Sequence, residues 1–193
     1  MKILIACEFS GVVRNAFLAK GHDAWSCDLL PTESPGPHIQ GDVLEVLNQG
    51  WDLMIAHPPC TYLAVFGNRS FVNNPKRWFQ RLNAMLFVHD LLNAEIKKIA
   101  LENPVGAIST YIRQPDQYIE PYEFGHPETK KTGLWLKNLP PLKPADIVEP
   151  QYIIGKDGKR YSPTHYTTFG KDKWKIRSKT FPGIAKAMAE QWG

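Results

Sequence analysis

Cysteine is scarce in this chain: three in 193 residues, at positions 7, 27 and 60, with no CxxC pair among them. An odd number without paired spacing argues against a disulfide framework and a zinc site. No metal is expected, and the compartment is expected to be reducing, with the cytoplasm as the default. Long apolar runs are missing as well. No stretch approaches the roughly 20 residues that a membrane span requires, so no membrane partner is expected. The opening Met1-Lys2-Ile3-Leu4-Ile5-Ala6-Cys7 is too short for a secretory leader and runs into Glu8; it reads as a first strand. The loop after it has one glycine, Gly11, where a dinucleotide-binding turn needs three, so an NAD enzyme is disfavoured. Internal repeats and low-complexity segments are absent too.

What remains is an ordinary globular composition, 43% apolar and 22% charged, with length for one domain spanning 1–193 and a buried sheet. The net charge of +4 is unevenly placed. Residues 151–193 hold nine Lys/Arg against three Asp/Glu, while the first 150 carry a net charge of −2. A basic C-terminal fifth on a near-neutral body suits a polyanion such as nucleic acid; the alternative is a solvated basic tail.

Strand and helix signals alternate through the first half. Apolar runs at 2–8, 24–29, 51–56 and 99–101 read as strands. Helical spacing covers 10–20, a short turn at 43–49, and a long amphipathic helix at 75–98. Trp78, Leu82, Met85, Leu86, His89, Leu92 and Ile96 mark the inward face of that long helix. The order predicts an α/β fold of the Rossmann-like class, with a mostly parallel, doubly wound sheet and helices on both faces. Residues 113–165 are rich in Pro, Gly and Tyr, with short strands expected at 133–136 and 151–154 and a hairpin tip at 155–159. An Ala-rich helix at 183–191 closes the chain.

Chemistry concentrates at strand ends, where open α/β sheets bind ligands. The run ending at Ala56 leads into His57-Pro58-Pro59-Cys60, and forty-two residues after the cysteine the next strand ends in Glu102-Asn103-Pro104. On neighbouring strands, a thiol and a carboxyl would share one edge. Those are the groups needed to add to, and activate, an electron-poor ring such as cytosine. Carbon 5 of cytosine is a poor nucleophile. Thiolate addition at carbon 6, with a proton given to ring nitrogen 3, turns the ring into an enamine that attacks a methyl sulfonium. Cys60 is the expected nucleophile, with its pKa lowered. Glu102 is the expected acid, its pKa raised by a water-excluding pocket, and Asn103 orients the site. The target base would flip out of duplex DNA. His57 reads first as a strand-end structural histidine, with substrate contact the alternative; Cys7 and Cys27 read as core residues.

The first loop, Glu8-Phe9-Ser10-Gly11, is placed to turn backbone amides and a helix N-terminus toward a ligand. Asp28 could accept from a ribose diol, and Asp42 could meet an adenine amine or simply cap a helix. Taken in order, Phe9-Ser10-Gly11, Asp28, Gly41-Asp42, Pro58-Pro59-Cys60 and Glu102-Asn103-Pro104 resemble the motif string of the DNA (cytosine-5)-methyltransferases, most nearly the short phage and prophage forms. The resemblance covers about the first 105 residues. It implies a class I methyltransferase fold, with S-adenosyl-L-methionine held by Phe9, Ser10, Gly11, Asp28, Asp42 and Pro58. It also implies Cys60 as nucleophile and Glu102 as the residue that holds the base. The Glu128-x-Lys130-x-Thr132 segment is similar in position to the family's Gln-x-Arg-x-Arg, and residues 182–189 to its last, cofactor-side helix.

There are departures. Thr61 and Ala64 replace the family's Gln and Ser, and Pro104 replaces its Val. The domain that reads sequence in the major groove is missing; a basic insertion at 145–180 is the most that could replace it. Substrate contacts are expected from Pro59, Thr61, Arg69, Arg77, Lys130, Lys173 and Arg177. The segment 61–81 reads as a loop that closes over substrate, with Arg69, Lys76, Arg77 and Arg81 for phosphates and Tyr62, Phe66, Phe71 and Trp78 for stacking; a basic loop with buried aromatics is the alternative. The expected partner is duplex DNA, with single-stranded DNA or a free cytosine nucleotide as rivals. A non-catalytic nucleic-acid-binding protein of the same fold is the rival from another class. An amino-methyltransferase would carry an aromatic residue where Cys60 stands. Nothing in the sequence fixes an oligomeric state.

Overall fold

A computed structural model describes residues 1–167, 170–171 and 173–193. Of the expected insertion at 145–180, residues 168, 169 and 172 therefore lie outside the described residues. The first half follows the predicted order with one strand added, β3: β1 (Lys2–Ala6), α1 (Val12–Leu18), β2 (Asp23–Asp28), β3 (His38–Gln40), β4 (Leu53–Ala56), α2 (Pro75–Leu92) and β5 (Lys98–Pro104). The second half adds α3 (Ala107–Tyr111), β6 (Gln117–Ile119), β7 (Thr132–Lys137), β8 (Ile153–Ile154), β9 (Arg160–Tyr161), α4 (Pro163–Thr167), α5 (Lys173–Ser178) and α6 (Pro182–Trp192).

Seven strands form one sheet in the order β3-β2-β1-β4-β5-β7-β6. The pairs among β1 to β5 are parallel, and β7 runs antiparallel between β5 and β6. The order reverses between β1 and β4, so the ligand-binding crevice of a doubly wound sheet is expected at their carboxyl ends. β8 and β9 pair separately, around a tip at 155–159 in which Gly158 takes a left-handed φ of 73°.

Both sheet faces are buried, which is why the central strands read as continuous apolar runs. Ile3, Ile5, Leu53, Ile55 and Ala100 point to one face, under Val13 and Phe17 of α1 and Ile184, Met188 and Trp192 of α6. Leu4, Met54, Ile99 and Leu101 point to the other, under Val88 and Leu91 of α2 and Ile108 of α3. Arg14 of α1 is fully buried and donates to Ser26 Oγ, Thr32 Oγ1 and the carbonyls of Ser34 and Pro35, fixing the loop between β2 and β3.

The long helix corrects the sequence reading in length and in phase. It stops at Leu92, capped by Asn93, rather than reaching 98. Its inner face carries Arg81, Val88 and Leu91, while Trp78, Leu82 and Leu86 are exposed. The rotation follows from Arg81, which donates to the Tyr62 carbonyl at 2.7 Å and to Asn68 Oδ1 at 2.8 Å and lies 3.7 Å over the Phe71 ring. A reading by hydropathy sends an arginine outward; here its guanidinium supplies the donors that the 61–71 segment needs. No helix among the described residues is long and apolar enough to cross a membrane.

Candidate active site

β4 and β5 pair up to Ala56–Leu101, so the next residues, His57 and Glu102, project side by side from the same face. The chain then breaks at Pro58-Pro59 and turns, with the Cys60 carbonyl accepting from the amides of Leu63 at 3.0 Å and Ala64 at 2.9 Å. Three hydrogen bonds tie this turn to the end of β5, which carries Glu102, and to the residues that lead from it into α3. Asn103 Nδ2 donates to the Pro58 carbonyl at 2.7 Å, Ala107 N to the Leu63 carbonyl at 2.7 Å, and Val65 N to the Val105 carbonyl at 3.2 Å. Gly106 permits the approach: a Cβ there would stand 2.0 Å from the Leu63 carbonyl oxygen. Asn103 thus ties down the loop through the backbone of Pro58.

Glu102 faces His57, whose Nδ1 lies 3.0 Å from Oε2. Burial by itself would push the Glu102 carboxyl up, but the His57 hydrogen bond and the Lys130 charge outweigh it and hold the group below the ordinary carboxylate value. This corrects the expectation of a raised pKa: the pocket excludes water, yet it supplies a donor and a cation at once. A cavity of about 10 Å³ beside Glu102, Lys130, Thr132 and Phe181 has room for about one water molecule, so a base cannot enter from that side.

Cys60 is exposed, and its thiol nevertheless sits above its ordinary value, through local desolvation first and the Glu102 charge second, with Lys130 opposing. That reverses the expected lowering. The carboxyl is close enough to perturb the thiol, and Lys130 acts on both. Lys130 was assigned to nucleic acid from sequence; its ammonium instead turns inward beside Glu102 and donates to the Arg177 carbonyl at 3.0 Å.

Across the ends of β1, β2, β3 and β4 opens a cleft of about 430 Å³. Asp28 and Asp42 stand on its polar side, and Leu29, Val43, Leu63 and Phe87 on its apolar side, with Pro59 at the edge nearest Cys60. Asp28 Oδ1 accepts from Leu30 N at 2.9 Å, and burial raises its carboxyl above the ordinary value. Asp42 also caps the turn at Val43–Glu45 through Leu44 N, so the capping reading is realised for one of its oxygens. Cys7 and Cys27 both line the cleft. Cys27 is a core residue with its thiol pushed up to about 11 by burial, whereas Cys7, taken for core from sequence, is only half-buried and carries the chain out of β1 at a left-handed φ of 59°.

The first loop differs from the expectation. Glu8 is buried and accepts from Val13 N at 2.7 Å, Arg14 N at 3.2 Å and Ser10 Oγ at 3.1 Å, so the start of α1 is already occupied by a carboxylate of the chain itself. Phe9, Ser10 and Gly11 are buried and do not line the cleft, and the same holds for Pro58. The Phe9 ring stands 6.0 Å from that of Trp174 in α5.

The remaining expected contacts are spread out. Thr61, Arg69 and Lys173 are exposed, and Arg177 is half-buried. Arg77 lies between the rings of Tyr62 and Phe71, at 4.9 and 5.0 Å. Arg81 and Phe71 are buried and serve the loop itself, so neither is a phosphate or stacking contact. Sequence reasoning missed the His57–Glu102 pairing, although two polar residues ending adjacent strands one position past the last pair are its signal. The chain matches no protein-family model, and no curated protein matches it either.

Proposed function

We propose that this protein is a class I methyltransferase that transfers a methyl group from S-adenosyl-L-methionine to carbon 5 of cytosine in DNA. The observation that carries the reading is the pairing of Cys60 and Glu102 on one sheet edge, electrostatically coupled, beside a cleft with two carboxylates. Parallel strands in the order 3-2-1-4-5, followed by an antiparallel strand between the fifth and sixth, fit that fold. The cleft fits the cofactor: about 430 Å³ lies in the range of small-molecule sites, with Asp28 and Asp42 as acceptors for hydroxyl and amine groups and an apolar wall for a ring.

Bound there, S-adenosyl-L-methionine supplies a methyl group on a sulfonium, the electrophile for an activated carbon 5. The Cys60 thiol gives its proton to Glu102 and adds to carbon 6 as the thiolate: the S–C6 bond forms, the ring π electrons shift toward nitrogen 3, and nitrogen 3 takes that proton from Glu102. Carbon 5 then takes the methyl group as the methyl–sulfonium bond breaks, its proton passes to a water molecule, the S–C6 bond breaks with restoration of the C5–C6 double bond, and nitrogen 3 returns its proton through Glu102 to the Cys60 sulfur. Pro58 and Pro59 stiffen the turn that carries the sulfur, and Asn103 holds it in register. The exposed cations Arg69 and Lys173 are available for phosphates.

The test is incubation of the protein with labelled S-adenosyl-L-methionine and DNA, followed by nucleoside mass spectrometry. Labelled 5-methylcytosine is expected from wild type and none from Cys60→Ala, which still binds cofactor by calorimetry. Turnover by Cys60→Ala, or no cofactor binding by wild type, overturns the reading. Parallel arms with duplex DNA, single-stranded DNA and a free cytosine nucleotide decide the substrate, and duplex is the expected one.

A further inference from the structure

His57 follows β4 directly, and only 8% of its side chain is exposed. Nδ1 lies 3.0 Å from Glu102 Oε2, and Nε2 is buried with no partner among the described residues. A buried N–H without an acceptor is a rarer and costlier orphan than a bare acceptor atom. The tautomer assigned by this geometry therefore carries its proton on Nδ1 and donates it to Oε2. Among the groups that face Glu102, His57 makes the strongest hydrogen bond. Lys130 contributes charge. The Thr132 hydroxyl lies 2.9 Å from the Lys130 carbonyl and adds a weaker hydrogen bond to Glu102, the smallest of the influences that lower its carboxyl. Ile119, Pro121, Thr180, Phe181 and Ile184 complete the wall without charge.

Resting on the proposed cytosine chemistry, we infer that His57 is a positioning residue, which commits Oε2 of Glu102 to the protein and leaves Oε1 to carry the proton that goes to nitrogen 3 of the base. A free carboxyl rotates and presents its O–H from either oxygen. With Oε2 accepting from Nδ1, a proton taken up by Glu102 resides on Oε1. The transfer then has a single course: the Oε1–H bond breaks and the N3–H bond forms as the Cys60 sulfur bonds to carbon 6. His57 itself touches neither base nor cofactor and exchanges no proton in the step. Its place at the strand end, beside a strand-end glutamate, makes it a specific accessory of this site and not a filler of the core.

The contact is tested without turnover by carbon-13 labelling of glutamate side chains and titration followed by NMR. In wild type Glu102 titrates below the ordinary carboxylate range, and in His57→Ala its midpoint moves up. In turnover, His57→Ala lowers kcat on the order of tenfold or more, because a misplaced reacting group costs rate. KM for DNA and calorimetric cofactor affinity stay unchanged. The loss disappears in a Glu102→Gln background, and His57→Asn, which keeps a donor, restores part of the rate. Thermal melts check that the variants fold. An unmoved Glu102 midpoint in His57→Ala, or losses that add to those of Glu102→Gln, overturns the inference while leaving the methyltransferase reading intact. A wild-type protein that forms no 5-methylcytosine overturns the reading, and the catalytic role of His57 with it.

Discussion

Gly106→Ala is the sharpest single test of how the fold holds the two reacting groups together. The glycine has an extended φ of 177°, so the new residue suffers no backbone strain of its own. The obstacle is the neighbouring chain: the added Cβ would lie 2.0 Å from the Leu63 oxygen, 2.8 Å from its carbonyl carbon and 2.9 Å from the Ala64 Cα. These are backbone atoms and have no rotamer to escape into. Restoring an ordinary contact separates the two segments by about 1–2 Å. That displacement breaks the Ala107–Leu63 and Val65–Val105 hydrogen bonds, worth about 1 kcal/mol each, and adds overpacking of about 1–3 kcal/mol. A loss of about 3–5 kcal/mol in urea unfolding is expected. In protein that remains folded, the Cys60 turn moves away from Glu102, and turnover falls on the order of 100-fold. Trapping of Cys60 by a fluorocytosine oligonucleotide reads the same displacement directly. Wild-type stability with wild-type trapping in Gly106→Ala would show that the turn is not held by this contact.

Other perturbations separate structural from functional residues. Arg14→Met removes the guanidinium donor from the carbonyls of Ser34 and Pro35 and from the hydroxyls of Ser26 and Thr32, and is expected to cost about 3 kcal/mol or more in denaturant unfolding, with new proteolytic cleavage between β2 and β3. Asp28→Asn has opposite effects on stability and binding. Burial raises the Asp28 carboxyl, so its ionised form is disfavoured in the folded state; the penalty exists at neutral pH and vanishes once the pH falls below the ordinary carboxylate value. The variant is therefore expected to raise the thermal midpoint at neutral pH but not in acid, and to weaken cofactor binding by calorimetry; unchanged affinity would remove Asp28 from the cofactor site. Lys173→Ala is expected to reduce the slope of log affinity for duplex DNA against log salt by about one, and an unchanged slope would place phosphate elsewhere.

The central sheet was legible in the sequence because its strands are buried on both sides: runs such as Leu53–Ala56 have no polar residue to obscure them. Short elements were not legible. β3, α3, β6 and α5 have three, five, three and six residues, too few for a period to declare itself, and they form because neighbours pair with or cover them. At the site, the stop residues Cys60 and Glu102 announced themselves, since a polar group directly after an apolar strand must meet something at the sheet edge. What sequence could not supply was the sign of their environment. Whether burial or partners win at Glu102 depends on His57 and Lys130, one of which is 45 residues away and the other 28 residues further on. The first loop misled for a related reason: a helix start beside a small-residue turn suits an anion, and the anion is Glu8 of the same chain.

The two pKa directions at the site, each opposite to the simple expectation, become coherent when taken together. At rest the thiol is held protonated and the carboxyl ionised. Addition to cytosine needs a thiolate and a proton for nitrogen 3. The two states contain the same number of protons, so moving one proton from Cys60 to Glu102 arms both groups without exchange with solvent. Glu102→Gln separates the two halves of this coupling. Removing the carboxylate charge lowers the Cys60 thiol toward its ordinary value, so more thiolate is present near neutral pH and iodoacetamide alkylates Cys60 faster than in wild type. The same substitution removes the acid that serves nitrogen 3, so 5-methylcytosine formation falls. A more reactive sulfur in a less active enzyme is the expected pair of results. Slower or unchanged alkylation in Glu102→Gln would mean that the two groups do not share a field, and the account of one proton moving between them would fail.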